Sequence, residues 1–509
     1  MGHVMTRVRI QIFATPANAV TNRLNEVSLR HLPPYVTRPQ YERDTVRTGV
    51  VHFGPGAFHR AHQAWFLESL LANDPRWGIC AVSLRSPDVR DALAAQNNLY
   101  VLAIRDDVIS CQVIGAIREL LVATENPRAV LNRLCDPATR VVTITVTEKG
   151  YCLAADGSLD LSHADIRRDL TNPGEPTTVI GFLAEALRKR RAARLAPFAV
   201  VSCDNLTDNG TRLACATALF ARQFDSSLAQ WIENEVFFPR TMVDSITPAT
   251  TDALKASVTQ ALGVSDRWPV QREAFTQWVI EGGFRGETPD WQSAGAILTN
   301  DVAGFDRAKL RLLNGAHSTL AYTGLLAGHR TVADVMQDES LREVVRSLMT
   351  QDILPTLSAP RGLNLPAYVE AILQRFRNPN MHHELAQIAW DGSQKLPVRI
   401  LGTVRDALAA GRPTARLCLP LAAWMRFVLR AARRGERVND PLAEKLLEIG
   451  IACTGRGADD VPAFLSLDAV FGADVRTDPR FTEPLISVYD GRDIAGFTLP
   501  ATIRAALTG

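Results

Sequence analysis

Up to about residue 300 the apolar positions fall in short runs separated by amphipathic stretches. Gly49-Val50-Val51-His52-Phe53 reads as a buried strand. It leads into Gly54-Pro55-Gly56-Ala57-Phe58-His59-Arg60 and an amphipathic segment to Leu71. Ile79–Leu84 is a second apolar run, and Tyr100–Ile104 with Val113–Ile117 reads as an antiparallel pair. Arg140–Thr147 is strongly β-branched, and Phe198–Cys203 follows a helix-like stretch at Val179–Arg194. Strands alternating with helices predict an α/β unit on a parallel sheet. Further on, Lys309–Leu326, Thr331–Thr350, Pro366–Phe376, Arg399–Ala410, Pro420–Arg434 and Pro441–Ile449 carry helical periodicity. Gly282, Gly283, Gly286, Pro289 and Gly304 mark a boundary near 285–305. The expected division is an N-terminal extension over 1–46, an α/β unit over 47–295 and a mostly α-helical unit over 296–509.

Composition narrows the classes. The 509 residues are 46% hydrophobic and 22% charged, with a formal net charge of +2. These values exclude a disordered, collagen-like or disulfide-framework chain. The charge balance provides no global field for nucleic acid or an anionic membrane. Six lysines stand against fifty arginines. A lysine kept inside a motif is then notable, because an ammonium can lose its proton where a guanidinium cannot. Eight scattered cysteines show no metal-ligand spacing and read as small buried residues of a reducing compartment. No apolar run approaches the roughly 18 residues of a spanning helix. The apolar stretch at the start is broken by Arg, Gln and Pro, so a signal peptide is not expected and the reading is cytoplasmic.

The strand, Gly54-x-Gly56 and helix succession is the start of a dinucleotide fingerprint. The first glycine allows a tight turn, the second lets backbone approach a pyrophosphate, and the helix opening at Ala57 and Phe58 supplies unpaired N–H groups. The third glycine is absent, its place taken by His59. Taken alone, the motif reads first as a plain strand-to-helix turn, and the order of strand, loop and helix raises the cofactor reading. After the second strand, Asp88 suits a ribose hydroxyl and Arg85 a 2′-phosphate, or both belong to a solvated turn. The reading is NAD, with NADP left open.

Hydride transfer needs a group to handle the alcohol proton and donors around the developing alkoxide. Clustered zinc ligands are not evident, and no tyrosine has a lysine four residues later. A lysine base becomes the candidate, since desolvation disfavours its charged form. In Lys309-Leu-Arg-Leu-Leu-Asn314-Gly-Ala-His317, a regular α-helix places Asn314 about 140° and His317 about 80° around from Lys309. The three fit one broad face. From the spacing alone, a surface lysine on a helix packed through its leucines is the favoured reading.

The chain resembles the mannitol dehydrogenase family of long-chain polyol and sugar-acid dehydrogenases. The resemblance spans about 45 to 475. It rests on Gly54–Gln63, Thr145–Tyr151, Ser202–Leu206 with Asn209-Gly210, Met242–Asp244, Gln277–Glu281, Lys309–His317 and Asp391–Lys395. It implies a Rossmann-type N-terminal domain, a helical C-terminal substrate-binding domain, an active site between them, NAD(P) and no metal. By position it makes Lys309 the general base, Asn205 and Asn314 donors to the alkoxide, and His317 a holder of the substrate oxygen. Lys395 would bind a substrate hydroxyl or carboxylate. Asp306 would relay the proton, at a position where the family often has Glu. His59 and His62 would support the cofactor loop, and Glu148 would lie on the cofactor side. Asp244 and Glu281 read equally as structural acids. Two departures stand out. Ser245 replaces the Arg usual after Met-Val-Asp, and Pro87 stands where some members have Glu beside the ribose-binding Asp.

Within the family, Gln387–Pro397 looks more like the fructuronate reductases. Mannitol dehydrogenases tend to carry Arg at the place of Gln387. A carboxylate substrate would welcome Lys395, Lys149 and Arg311. A hexuronate reductase is therefore favoured over a mannitol 2-dehydrogenase. A catalytically silent NAD(H)-binding relative is the alternative of another class, and the joint presence of Lys309, Asn314, His317, Asn205 and Lys395 argues against it.

Overall fold

A computed structural model of the chain describes residues 22–106, 108–154, 156–381, 383–494 and 497–508. Residues 1–21 of the expected extension lie outside the described residues. The chain divides into two compact units, one ending at Val302 and the other beginning at Ala303.

The first unit carries the strands β1 (Thr48–Phe53), β2 (Gly78–Ser83), β3 (Tyr100–Arg105), β4 (Ile109–Ile114), β5 (Ile117–Val122), β6 (Val141–Ile144), β7 (Ala199–Ser202), β8 (Thr241–Asp244), β9 (Val270–Glu273), β10 (Gln277–Glu281) and β11 (Ile297–Thr299). Five of them form an all-parallel sheet in the order β5-β2-β1-β6-β7. Its central strands are apolar without alternation because both faces are covered. Val51, Phe53, Cys80, Val82, Val142, Ile144 and Val200 face the helix Val179–Ala192 on one side. Val50, Ile79, Ala81, Val141 and Val201 join Phe66, Trp77 and Trp278 on the other. The period of two along each strand sorts neighbours to opposite faces.

The smaller sheets, β4-β3-β9 and β11-β10-β8, complete the unit. Leu24, Leu32 and Val36 pack with Leu99, Val101 and Val113 beside the first of them. The antiparallel pairing of β3 with β4 is present, matching Tyr100 with Ile114 and Val101 with Val113. The single strand expected over Val113–Ile117 is corrected. It breaks at Gly115-Ala116, where the Gly115 amide turns to donate to the Glu68 carboxylate (2.8 Å), and β5 then enters the parallel sheet. All eight cysteines are free, and Cys215 is exposed rather than buried.

The second unit is helical. Gly315–Leu326 packs against the long Ala415–Arg434 helix. Pro420 lies inside that helix rather than opening it, so the helix begins five residues earlier than its proline suggested. The helix expected over Thr331–Thr350 is interrupted at Asp338, whose carboxylate accepts from the Ser340 and Leu341 amides and starts a new helix. Among the described residues three segments are π-helical: Lys309–Asn314, Leu348–Ile353 and Pro397–Leu401. The first and third pack on each other. No helix among the described residues is long and apolar enough to cross a membrane.

Candidate active site

In the first unit the glycine turn sits at the carboxyl end of β1, between β2 and β6. That is the switch point of the parallel sheet, where chain connections leave in opposite directions and open a crevice. Gly54 has φ +92°, and a Cβ there would run into the Thr145 carbonyl. Gly56 begins the helix Ala57–Ala61, and a Cβ on it would meet only the Gly54 carbonyl at 4.0 Å. The turn therefore leaves its outer backbone face open, which fits a pyrophosphate laid against Gly56, Ala57 and Phe58.

A histidine braces this turn from below. His52 Nε2 donates towards the Gly54 carbonyl (3.1 Å) and Thr145 Oγ1 (2.9 Å), which leaves Nδ1 to accept from Thr143 Oγ1 (2.7 Å). The buried His59 ring stacks on His52 with centroids 3.3 Å apart. Burial lowers His52 to about 3 and holds His59 well below its ordinary value, so both stay neutral. His62 Nε2 donates to the Gln277 carbonyl at 2.9 Å.

Asp88 is exposed and opens the helix that follows β2, while Arg85 pairs with Asp165 at 3.2 Å. Glu148 and Lys149 are exposed on the turn after β6. That turn starts at Thr147 with φ +65°, an uncommon conformation for a β-branched residue. Asp204 holds it. Its carboxylate accepts from the Val146 and Thr147 amides (3.0 and 2.9 Å) and from the Tyr151 hydroxyl (2.7 Å). Asn205, next in sequence, is exposed beyond the end of β7. The left-handed position of this loop is Asp208, and Asn209 makes buried hydrogen bonds to Ser202 and Thr241. Glu281 pairs with Arg240 (2.6 Å), and Ser245 Oγ donates to the Phe275 carbonyl (3.1 Å).

In the second unit Lys309, Asn314 and His317 are 7%, 8% and 6% exposed. The π-helical backbone corrects the regular-helix geometry expected for them. Its hydrogen bonds close over five residues, so Asn314 falls one wide turn after Lys309 instead of well around the helix. Asp306 is half-buried one turn earlier. The His317 ring lies against Phe376 (centroids 4.5 Å) and edge-on to His383 (5.0 Å). Burial, His383, Arg399 and Arg375 hold it well below its ordinary value, so it is neutral, and its Nε2 has no hydrogen-bond partner among the described residues. Burial also brings His383 down to about 4. Lys395 is lowered to about 8 by burial and by Arg399, and its Nζ reaches the Ile388 carbonyl at 3.4 Å. Arg311 does not join this group. Its guanidinium is engaged by Asp406 (2.6 Å) and Thr356 (3.3 Å).

Hydride transfer to a carbonyl is the chemistry that asks for both a backbone cradle at a sheet switch point and a desolvated lysine among hydrogen-bonding groups. The class is that of Rossmann-type oxidoreductases acting on CH–OH groups. The chain belongs to the mannitol dehydrogenase family: residues 48–293 match the mannitol dehydrogenase Rossmann domain and residues 301–491 the mannitol dehydrogenase C-terminal domain. It is 40% identical over 463 residues to the D-mannonate oxidoreductase of Escherichia coli K12, covering 89% of this chain and 95% of that one. It is also similar to a substrate-free D-sorbitol dehydrogenase structure (TM-score 0.86, 33% identity, 95% of this chain and 100% of that one). Pseudomonas fluorescens mannitol 2-dehydrogenase, in a ternary complex with NAD and D-mannitol, is a further relative (TM-score 0.80, 34% identity, 95% and 98%).

Proposed function

We propose that the chain is a nicotinamide-dependent sugar-acid reductase that converts D-fructuronate to D-mannonate. A reduced nicotinamide cofactor, when bound, would supply the hydride. Lys309 Nζ gives its proton to the ketone oxygen as the C–H bond forms, and removes it in the reverse direction. Asn314 donates to that oxygen while it carries alkoxide charge, and Asn205 is assigned as a second donor by the family resemblance. His317, held neutral, offers its Nε2 side to the same oxygen. Asp306 is the exit for the proton. Gly54, Gly56, Ala57 and Phe58 are assigned to the cofactor phosphates and Asp88 to its ribose.

The observation that carries this reading is the burial of Lys309, Asn314 and His317 on one helix whose neighbours Leu312 and Leu313 are core residues. Sinking three polar groups together costs free energy that packing alone does not return. The carboxylate is supported by Arg399 and Arg375, which both act on His317, and by Lys395 beside Arg399. The test follows NADH consumption with D-fructuronate and D-fructose side by side, repeated with NADPH and with Lys309→Ala. Turnover on fructuronate that is lost in the variant supports the proposal. Turnover on fructose alone replaces it with a mannitol 2-dehydrogenase, and NADH binding without turnover on either ketone replaces it with a silent relative.

A further inference from the structure

Arg399 was singled out by no sequence motif, yet its placement is unusual. It belongs to the π-helical segment Pro397–Leu401, which packs on the segment carrying Lys309. Its Nη1 donates to Ser318 Oγ (3.1 Å), the neighbour of His317. It acts electrostatically on His317, Lys395 and Tyr322. Among the described residues no carboxylate pairs with it. This contrasts with Arg311 and Arg416 of the same unit, which are held by Asp406 and Asp352. The two acids that act on neighbouring Lys395 are Asp391 and Asp440. Asp440 is occupied by the Ser393 amide and hydroxyl and by the Leu442 amide.

A half-buried guanidinium has five donors. Ser318 takes one, and a buried cation without a counter-charge is costly. Burial lowers Arg399 only to about 10, so it stays charged at neutral pH. Its planar fork matches a carboxylate in a way that a hydroxyl cannot reproduce.

Resting on the sugar-acid reading above, we infer that Arg399 is the specificity residue that receives the substrate carboxylate, with Lys395 beside it as a second cation. The reacting carbonyl then lies towards Lys309, Asn314 and His317, and the acid end lies towards Arg399. A neutral ketose fills the same space without the ion pair. Arg311, another cation suggested by the sequence, is engaged by the Asp406 pair instead.

The experiment uses the full chain and the variants Arg399→Gln and Arg399→Lys. It measures kcat and KM for D-fructuronate and for D-fructose, together with NADH affinity and the melting temperature. The expected result for Arg399→Gln is a KM for fructuronate raised ten- to a hundredfold, the range for a lost charged hydrogen bond. Fructose kinetics and NADH affinity stay unchanged, so the ratio of kcat/KM between acid and ketose collapses. Arg399→Lys keeps charge without the fork and falls between. An equal loss on both substrates, with a lowered melting temperature, would make Arg399 a structural brace and overturn the inference. Unchanged fructuronate kinetics in a wild type that reduces fructuronate would overturn it while leaving the proposed function standing. A wild type that reduces only fructose would overturn the proposed function and this inference with it.

Discussion

Gly315 and Arg399 meet backbone to backbone: a Cβ on Gly315 would lie 3.1 Å from the Arg399 carbonyl oxygen and 3.5 Å from Ile400 Cδ1. This approach brings the segment with Lys309 and Asn314 against the one with Arg399. Gly315→Ala gains about 1 kcal/mol of helix propensity. It also forces a rigid carbonyl aside, at about 1–3 kcal/mol for overpacking. The net expectation is a lowered melting temperature and a reduced kcat, with unchanged NADH affinity. A variant as stable and active as wild type would show that the two segments do not depend on this contact.

Lys309→Ala is expected to lower kcat by about 10²- to 10⁴-fold, the contribution of a positioned acid–base group. NADH affinity should hold. Lys309→Arg should not rescue, because a guanidinium keeps its proton. Single-turnover kinetics in both variants check this, and activity in the arginine variant would remove lysine as the base.

Glu68 predicts a pH dependence of stability in the first unit. Burial pushes its carboxyl up to about 7 from the ordinary 4.5, against the lowering by the Gly115 amide, Tyr41 and Arg43. Between these values the folded chain holds a proton that the unfolded chain has released. Stability from this group is therefore full below about pH 4.5, falls as pH rises towards 7, and is level above, a total on the order of 3 kcal/mol. Glu68→Gln should remove that component. Denaturation midpoints measured from pH 5 to 8 should diverge between the two proteins, and parallel curves would refute the assignment.

Asp204 restrains the turn that begins at Thr147. A β-branched residue at positive φ costs about 1–3 kcal/mol and persists only when its surroundings enforce it. Asp204→Ala should release the turn and expose the bond after Lys149 to a lysine-specific protease. Cleavage there should accelerate with little change in the rate at the other lysines. An unchanged cleavage pattern would mean that Tyr151 and the strand ends suffice.

The parallel sheet and its glycine turn were legible because apolar runs and a Gly-x-Gly pair report local backbone demands directly. The candidate site was legible only in part. Hydrophobic periodicity cannot reveal that hydrogen bonds lengthen to a π pattern between Lys309 and Asn314, so a regular wheel misplaced Asn314. Arg311 pairs with a partner 95 residues away, a relation that no local pattern carries. Arg399 was lost among fifty arginines until its neighbours were known. Asp204 stood beside a singled-out asparagine, and its part emerged only from the two amides it accepts.

The wide turn at Lys309–Asn314 is one residue removed from an ordinary helix. Deleting one apolar residue within it, such as Leu310, would leave Asn314 one ordinary turn after Lys309, on the same face and closer to it. The spacing between the two polar groups is thereby set by a single codon.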